Sequence, residues 1–399
     1  PLSDGEWDQL DAEKEIVEDW TNAIAEGDQK ISEGLKTRFF RNANVVGATC
    51  ARTGKDDFRN QYGIFDVVIV DEVSKATPTE LLMPALLGKK VVLVGDHRQL
   101  APVFGHQSNF EAAADNLGME EEDLQENLRR SLFKERFEYF SEQEDSRDEP
   151  EGDAYAGRRT LMLTKQYRMH SQIMTGINQF YDGKLELGHL QENGEDIPLD
   201  EVRDHNLEIS PWASENRHLV WVNTPVEGEW EHTQEGPTRY NEKEMETTLS
   251  MLQSLGNAFE EADREALSVG VTSVYAAQVN RLRQKVRQLS LPEDMEDGLR
   301  ISTVDRFQGM ERDIMFLNLV LNRHGLPPSK WLRTPERINV AMSRARRLLV
   351  IVGSKHNYVE VDGTSPAYSR FFNVARKYGH YVRANHIIDQ SQMDRDRAS

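Results

Sequence analysis

The chain has 399 residues, a formal net charge of −20 and a 38% apolar fraction, which predicts two or three domains with substantial hydrophobic cores. No apolar run approaches the roughly 20 residues of a membrane span, and the acidic, polar amino terminus lacks the features of a signal peptide, so we expect no membrane partner. The single cysteine, Cys50, excludes an internal disulfide framework and a zinc cluster, and therefore favours a reducing compartment. We expect the cytoplasm, with a nucleoid or nuclear location also open.

The first 44 residues predict a helical segment, which would be a stalk or accessory segment or a plain packing helix. Apolar residues between positions 7 and 40 recur mostly at three- and four-residue steps, which is typical of an amphipathic helix or helix pair. The next stretch is VVGATC at 45–50, which contains Thr49.

Two apolar runs then end in polar loops. FDVVIV at 65–70 leads to DEVSKA at 71–76, and KVVLV at 90–94 leads to GDHRQLAP at 95–102. Continuous apolar runs predict parallel strands that are covered on both faces. The carboxyl end of such a strand is where an open α/β sheet places the magnesium ion of a nucleotide and the attacking water. Alone, Asp71 and Glu72 would more often be a solvated loop, but the second run makes that alternative much weaker.

An acidic segment separates the two halves of the chain. SLFKERF at 131–137 predicts a helix, and residues 141–153 have the composition of a disordered loop. We therefore predict the carboxyl part of a first α/β domain at 45–140 and an acidic linker at 141–158. A second domain at 159–385 and a polar tail at 386–399 complete the chain.

The second half predicts another parallel sheet. Strands are expected at 218–223, 269–275, 299–304, 313–321 and 347–353, alternating with helices. Asn241, followed by Glu242, is expected to cap a helix. For the basic residues between Arg281 and Arg287, a solvated helix face and a nucleic-acid contact are equally open.

Three further motifs carry arginines or a flexible glycine. They are LMLTKQYRMH at 161–170, TVDRFQGMERD at 303–313 and RINVAMSRARR at 337–347. Gly309 would let the backbone approach a ligand closely. The fixed charge and forked geometry of arginine suit a developing phosphoryl charge better than lysine does.

The five polar motifs, in this order, resemble motifs II to VI of the superfamily 1 helicases. Within that superfamily they are most similar to the branch that contains the nonsense-mediated-decay helicase and the nuclease-helicases of DNA replication. The resemblance covers roughly residues 40 to 385. It implies an α/β fold of RecA-like parallel sheets flanked by helices, with a partial first motor domain followed by a second one. It also implies ATP and Mg²⁺ as cofactors and 5′-to-3′ movement on single-stranded DNA or RNA.

The resemblance assigns roles residue by residue. Asp71 would hold Mg²⁺, Glu72 would polarise the attacking water, and Gln99 would sense the γ-phosphate with support from Asp96. Arg168 and Arg344 would neutralise transition-state charge across the domain cleft. The implied bridge between nucleotide and nucleic acid comprises Gln308, Gly309 and Glu311. The expected nucleic-acid contacts are Thr49, Arg98, Pro102, Tyr275, Gln278 and Thr303. Val73, Lys75 and Ser343 depart modestly from the family pattern.

One expected motif is not found in the sequence. A helicase of this type needs Gly-x-x-x-x-Gly-Lys-Ser/Thr to cradle the phosphates. The nearest stretch, GATCARTGKD at 47–56, has a misplaced first glycine, and Asp56 stands where the magnesium-binding hydroxyl should be. We therefore expect the chain to begin inside the first motor domain and to be inactive alone, with a phosphate loop supplied by an upstream region or a partner chain. The alternative is a truncated or split subunit that binds nucleic acid or a partner protein without hydrolysing ATP.

Overall fold

The computed structural model of the chain describes residues 14, 17, 18, 21, 43–101, 119, 120, 124, 131–145, 158–192, 194–262 and 267–398. The chain divides into two compact units. The first comprises residues 1–97 and 101–148, and the second comprises residues 98–100 and 149–399. The predicted stalk at 1–44 lies almost entirely outside the described residues, as do Pro102 and the stretch 146–157 of the predicted linker. The domain boundaries proposed from the sequence stay predictions.

The first unit is built around one pair of parallel strands. These are β1 (Phe65–Val70) and β2 (Gly88–Leu93), in a register that pairs Val68 with Val91. Its helices are α1 (Cys50–Thr53), α2 (Asp56–Tyr62), α3 (Pro78–Ala85) and α4 (Leu132–Asp145). Helix α3 begins where the sequence favours it, because Thr77 and Glu80 form a reciprocal capping box and Pro78 occupies the first turn.

The prediction that these two strands are covered on both faces is wrong for the part of the chain that the structure describes. Val67, Ile69, Val91 and Val92 are all exposed. One side of the pair packs on a small cluster that includes Val70, Val73, Leu81 and Phe133. A strand pair needs a second layer to bury its other face, and the described residues supply only one.

The second unit contains the other strands of the described residues. They are β3 (Lys165–Gln166), β4 (Glu186–Leu187), β5 (His189–Glu192), β6 (Glu195–Pro198), β7 (Leu219–Asn223), β8 (Thr233–Glu235), β9 (Thr238–Tyr240), β10 (Val269–Ser273), β11 (Arg300–Thr303), β12 (Arg312–Asn318), β13 (Ala345–Gly353) and β14 (His380–Arg383). Six of them form one parallel sheet in the order β11-β10-β12-β13-β7-β14. This sheet confirms the α/β class, and five of its six strands, all except β14, match the strands predicted from apolar runs to within a few residues.

Helices cover both faces of this sheet. They are α5 (Ser171–Ile177), α6 (Leu199–Val202), α7 (Glu242–Glu261), α8 (Ala276–Val286), α9 (Glu293–Gly298), α10 (Val304–Phe307), α11 (Pro335–Met342), α12 (Pro366–Lys377) and α13 (Ala384–Ala398). Successive strand residues alternate between two hydrophobic clusters: Trp221 and Ile351 pack with α12, whereas Val222 and Val350 pack with α7. The continuous apolar runs of the sequence are thus buried on both sides, as the pattern requires.

Three other expectations about local structure can be compared with the described residues. Helix α4 confirms the helix predicted at 131–137, but it continues to Asp145, so the loop predicted from residue 141 is wrong for 141–145. Asn241 is confirmed as a helix cap, since its side chain accepts a hydrogen bond from the Glu244 amide. Among the described segments, no helix combines the length and the hydrophobicity that crossing a bilayer requires.

Candidate active site

The acidic pair lies at the carboxyl end of β1, in the first unit. The Glu72 amide donates to Asp71 Oδ1 at 2.8 Å, and Glu72 itself has a left-handed backbone with φ 55°. A left-handed conformation is uncommon for a residue with a side chain and often marks a functional position. Both carboxylates are solvent-exposed and therefore accessible to a ligand.

The loop after β2 packs against the turn that follows this pair. A Cβ atom on Gly95 would come within 2.8 Å of Val73 Cγ2, so only glycine fits this close approach. The Asp96 amide donates to Ser74 Oγ at 3.3 Å. The two loops that the sequence singled out in the first unit are therefore physically connected.

Arg168 lies in the second unit, on a loop shaped by Gln166. The Gln166 side chain accepts from the amides of Arg168 and Met169 and donates to the Met169 carbonyl, at 3.0, 2.9 and 2.7 Å. The Arg168 guanidinium donates to Glu311 Oε2 at 2.7 Å and to the Ser343 carbonyl at 3.3 Å. Three predicted motifs thus meet at one side chain.

Arg344 lies immediately after α11 and is only 2% exposed. Its guanidinium donates to the Val340 carbonyl at 3.0 Å and to Ser343 Oγ at 2.7 Å. It also lies 3.4 Å from Gln99 Oε1, so the predicted γ-phosphate sensor and the predicted arginine finger are neighbours. Residues 98–100 belong to the second unit, so the contact between Gln99 and Arg344 lies within that unit.

The segment 308–311 supplies a further group to the same region. Gly309 has φ 81°, and a Cβ atom there would meet nothing within 4 Å, so this backbone is open to a close ligand. Gln308 Nε2 is buried, and within the described structure it has no hydrogen-bond partner. Glu311 is 3.7 Å from Arg346 as well as in contact with Arg168.

In the first unit, the exposed carboxylate of Asp71 fits a magnesium ligand. Mg²⁺ in nucleotide sites commonly takes one or two protein carboxylates, with the remaining ligands from phosphate and water, and Asp71 offers such an oxygen. The described residues contain no cluster of three or more His, Cys, Asp or Glu side chains that would hold a metal by itself. In the second unit, Arg168 and Arg344 supply fixed positive charge, and the unpaired Gln308 amide supplies a donor.

The predicted nucleic-acid contacts have varied environments. Thr49 caps α1 and is exposed, whereas Thr303 precedes α10 at the end of β11. Arg98 donates to the Phe180 carbonyl and to Asp182 Oδ2, both at 2.8 Å. These three assignments stay predictions, as does that of Pro102.

Tyr275 and Gln278 are largely enclosed. Burial raises the pKa of Tyr275, against the effect of Arg239, which donates to its hydroxyl at 3.1 Å. Gln278 is fully buried, accepts from the Asn241 amide at 2.9 Å and donates to Asn318 Oδ1 at 3.1 Å. Gln278 therefore ties two helices to the end of β12, and its role as a nucleic-acid contact stays a prediction.

The structure also identifies a supporting residue that the sequence reasoning missed. Asp313 accepts hydrogen bonds from Ser268, Arg346 and Arg347 at 2.6, 3.1 and 3.1 Å. Burial raises the pKa of Asp313, but Ser268 and the two guanidinium groups outweigh it, so the pKa is lowered. Asp313 thereby fixes the arginines that follow Arg344. Its only sequence signal was a carboxylate at the start of an apolar strand.

The basic residues of α8 have partners within the chain. Arg281 pairs with Glu235 at 2.7 Å, Arg283 donates to the Ile301 carbonyl at 2.6 Å, and Lys285 pairs with Glu242. These contacts favour a structural role for the helix face over the nucleic-acid alternative.

The sequence was compared with those of known proteins and protein families. A family model described as an AAA domain matches residues 131–356, which is more than half of the chain, and a second model with the same description matches residues 4–106.

Several curated proteins are similar in sequence. An uncharacterized ATP-dependent helicase of Methanocaldococcus jannaschii is 27% identical over 82% of this chain and 41% of its own length. A regulator of nonsense transcripts 1 homolog of Drosophila melanogaster is 28% identical over 85% of this chain and 25% of its own length. The DNA replication ATP-dependent helicase/nuclease of Bos taurus is 28% identical over 90% of this chain and 30% of its own length. The chain therefore spans between a quarter and about two fifths of the length of these relatives.

Proposed function

We propose that this chain, a member of the superfamily 1 helicases, is the motor core of an ATP-driven enzyme that moves 5′ to 3′ along single-stranded DNA or RNA. Within that superfamily it belongs to the branch that contains the nonsense-mediated-decay helicase and the replication nuclease-helicases. Its two cofactors would be ATP and Mg²⁺. The phosphate loop would come from an upstream region of the same protein or from a partner chain.

One observation carries the proposal. Side chains from four distant segments, Gln99, Arg168, Glu311 and Arg344, gather in the second unit through direct contacts or through Ser343. Packing alone gives no reason to place two arginines and a glutamine at one edge of a unit. Neutralising the charge of a phosphoryl group during its transfer, by contrast, does call for arginine side chains gathered at one place.

The chemistry follows from the individual side chains. A bound Mg²⁺ would supply positive charge that offsets the charge of the phosphates. Asp71 would hold the ion, and Glu72 would accept a hydrogen bond from the attacking water and orient it. Arg168 and Arg344 would donate to phosphoryl oxygens as charge develops, and Gln99, in contact with Arg344, would report the state of the γ-phosphate.

Steady-state ATP turnover in the presence of single-stranded nucleic acid tests this proposal. The chain alone should turn over negligibly, because a phosphate loop is needed to position the substrate. In a longer protein, or with a complementing chain that carries the loop, Arg344→Ala should lower turnover on the order of 10³-fold while ATP binding weakens far less. Glu72→Gln should behave similarly, since Asp71 remains.

The control is Arg300→Ala, which removes an exposed arginine at the start of β11 and should leave turnover unchanged. Near-normal turnover by Arg344→Ala would contradict the proposed catalytic role. If turnover is absent even with a phosphate loop supplied, the result would support the alternative of a subunit that binds without hydrolysing ATP.

A further inference from the structure

A cavity of about 430 Å³ opens at the carboxyl edge of the six-stranded sheet, between the ends of β7 and β13. We call it the β7–β13 groove. Its walls are residues 223–227, His324, Lys355, His356, Glu360 and Tyr381. Every one of these residues belongs to the second unit.

The topology of the sheet explains why a groove forms there. β7 and β13 are adjacent and parallel, with Val352 paired to Val222. After β7 the chain passes through β8 and β9 and then forms α7, which packs in one hydrophobic cluster. After β13 and a short helical turn it forms α12, which packs in the cluster on the opposite face. Neighbouring parallel strands whose following helices lie on opposite faces leave a crevice at their carboxyl ends, and α/β proteins bind ligands in that crevice.

Aromatic rings form much of the groove lining. The imidazoles of His324 and His356 lie 4.9 Å apart between centroids. Tyr381 is 37% exposed and is held edge-on by Phe372 at 5.7 Å, so its ring is fixed while part of it faces solvent. Such rings form a platform for stacking.

The charges in the groove largely cancel. Lys355 Nζ lies 2.5 Å from Glu360 Oε1, which makes a neutral pair. His356 Nε2 lies 3.2 Å from the Gly325 amide, which donates to it, and His356 Nδ1 lies 3.4 Å from Glu360 Oε2. Glu227 adds a carboxylate, so the lining has no surplus positive charge with which to hold a phosphate. An uncharged aromatic ring with a hydrogen-bonding edge fits this lining better than an anion.

The groove lies on the same sheet edge as two predicted nucleic-acid contacts. Tyr275 and Thr303 are at the carboxyl ends of β10 and β11, and three strand steps separate β10 from β7. At the usual strand spacing these steps amount to about 14 Å. A single strand that crosses this edge past the ends of β11 and β10 would therefore arrive at the groove.

We propose that the β7–β13 groove binds a nucleobase of single-stranded nucleic acid by stacking on His324 and Tyr381. This inference rests on the proposed function, because it needs a bound single strand. It adds a contact that reads the base face, whereas basic side chains contact phosphate.

The test measures binding of an oligonucleotide that contains 2-aminopurine, whose fluorescence is quenched by stacking. The full chain is titrated at several salt concentrations, and anisotropy gives the affinity. Tyr381→Leu and His324→Ala should each weaken binding roughly tenfold at every salt concentration and should reduce the quenching. The slope of log affinity against log salt should not change, because stacking neutralises no phosphate.

Tyr378→Leu is the matched control. Tyr378 is also partly exposed and lies three residues before Tyr381, but it does not line the groove. The Tyr378→Leu variant should bind the oligonucleotide with the affinity of the unmodified chain. His324 is exposed, so its removal tests the groove without endangering the fold, and circular dichroism verifies folding of each variant.

Both groove variants could bind with unchanged affinity and quenching while the unmodified chain binds normally. That result would overturn the proposal that the groove binds a nucleobase and would leave the proposed function intact. A shallower salt slope in those variants would also overturn it, since it would mean a phosphate contact. If the unmodified chain bound no oligonucleotide, both the groove and the nucleic-acid part of the proposed function would fail.

Discussion

The two units show that one sequence pattern can produce two degrees of burial. Both contain parallel strands made of continuous apolar runs that end in polar loops. In the first unit, Ile69 of β1 is 67% exposed, whereas in the second unit Ile351 of β13 is fully buried. An apolar run thus predicts a strand and its parallel partner. How well the strand is covered depends on layers of helices that pack on each face.

The charged pairs of the two units differ in the same way. Asp66 and Lys89 join β1 and β2 at 2.7 Å, and both side chains are largely in water. Asp313 in β12 is mostly enclosed by Arg346, Arg347 and Ser268. The cost of removing one partner rises when the remaining charge cannot be solvated.

The largest expected effect is in the core of the second unit. Ile351→Ala should lower the free energy of unfolding by about 4 kcal/mol, because it removes buried methylene groups and leaves a cavity. The matched substitution Ile69→Ala should change it by less than about 0.5 kcal/mol. Urea unfolding followed by circular dichroism gives both values, and hydrogen exchange localises them to β13 or β1. Equal losses of unfolding free energy in the two variants would show that β1 is covered, and would contradict the difference in burial between the two units.

The next effect concerns the enclosed carboxylate. Asp313→Ala should lower the free energy of unfolding by about 2 kcal/mol, since Arg346 and Arg347 would lose their common acceptor. Asp66→Ala, at the exposed pair, should leave the urea midpoint unchanged within error. A clear midpoint shift from Asp66→Ala would show that the surface pair matters more than its exposure suggests.

The third prediction is a pH dependence that arises in the second unit. His170 stacks on His218 with ring centroids 3.4 Å apart. Burial, together with the charge of His218, lowers the pKa of His170 to about 4, although Asp200 and Asp204 oppose this. The unfolded chain therefore binds a proton near pH 6.5 that the folded chain binds only near pH 4.

Stability should consequently be full above pH 6.5 and decrease as the pH falls towards 4. His170 should contribute about 1.4 kcal/mol per pH unit to this slope. His218, whose pKa is also lowered by burial, should add to it. Urea midpoints measured between pH 4 and 7 give the slope, and His170→Gln should reduce it. If the variant retained the full slope, another group would be responsible.

The smallest expected effect tests a buried acid. Glu244 is fully buried, and burial raises its pKa well above the usual value, against hydrogen bonds from Val320 and Leu319. The Val320 amide donates to Glu244 Oε1 at 2.9 Å, and Val320 has a left-handed backbone with φ 69°. Because the neutral acid is favoured in the folded state, Glu244→Gln should cost less than about 1 kcal/mol near neutral pH.

Glu244→Ala is the contrasting variant. It should cost about 2 kcal/mol, since the Val320 amide would be buried without an acceptor. The raised pKa also means that stability from Glu244 is present below its unfolded pKa and declines as the pH rises, and glutamine should remove this decline. Equal destabilisation by glutamine and alanine at neutral pH would indicate that the carboxylate is ionised.

Local pattern was sufficient for the longer apolar strands and for the polar motifs. Apolar runs located β1, β7, β10, β12 and β13 to within a few residues, and Asn241 was identified as a cap from its position alone. These features depend on side chains a few residues apart, so the sequence contains the information directly. The resemblance to a helicase family came from the same short segments.

Tertiary structure decided which of those segments meet and which side chains stay accessible. Gln99 contacts Arg344 across 245 positions of the sequence. Gln278, which the resemblance gave as a nucleic-acid contact, is fully buried between Asn241 and Asn318. The exposure of Ile69 in an apolar run likewise could not be predicted from the run itself. Such contacts are set by how layers pack around a sheet, and periodicity within a single segment does not encode them.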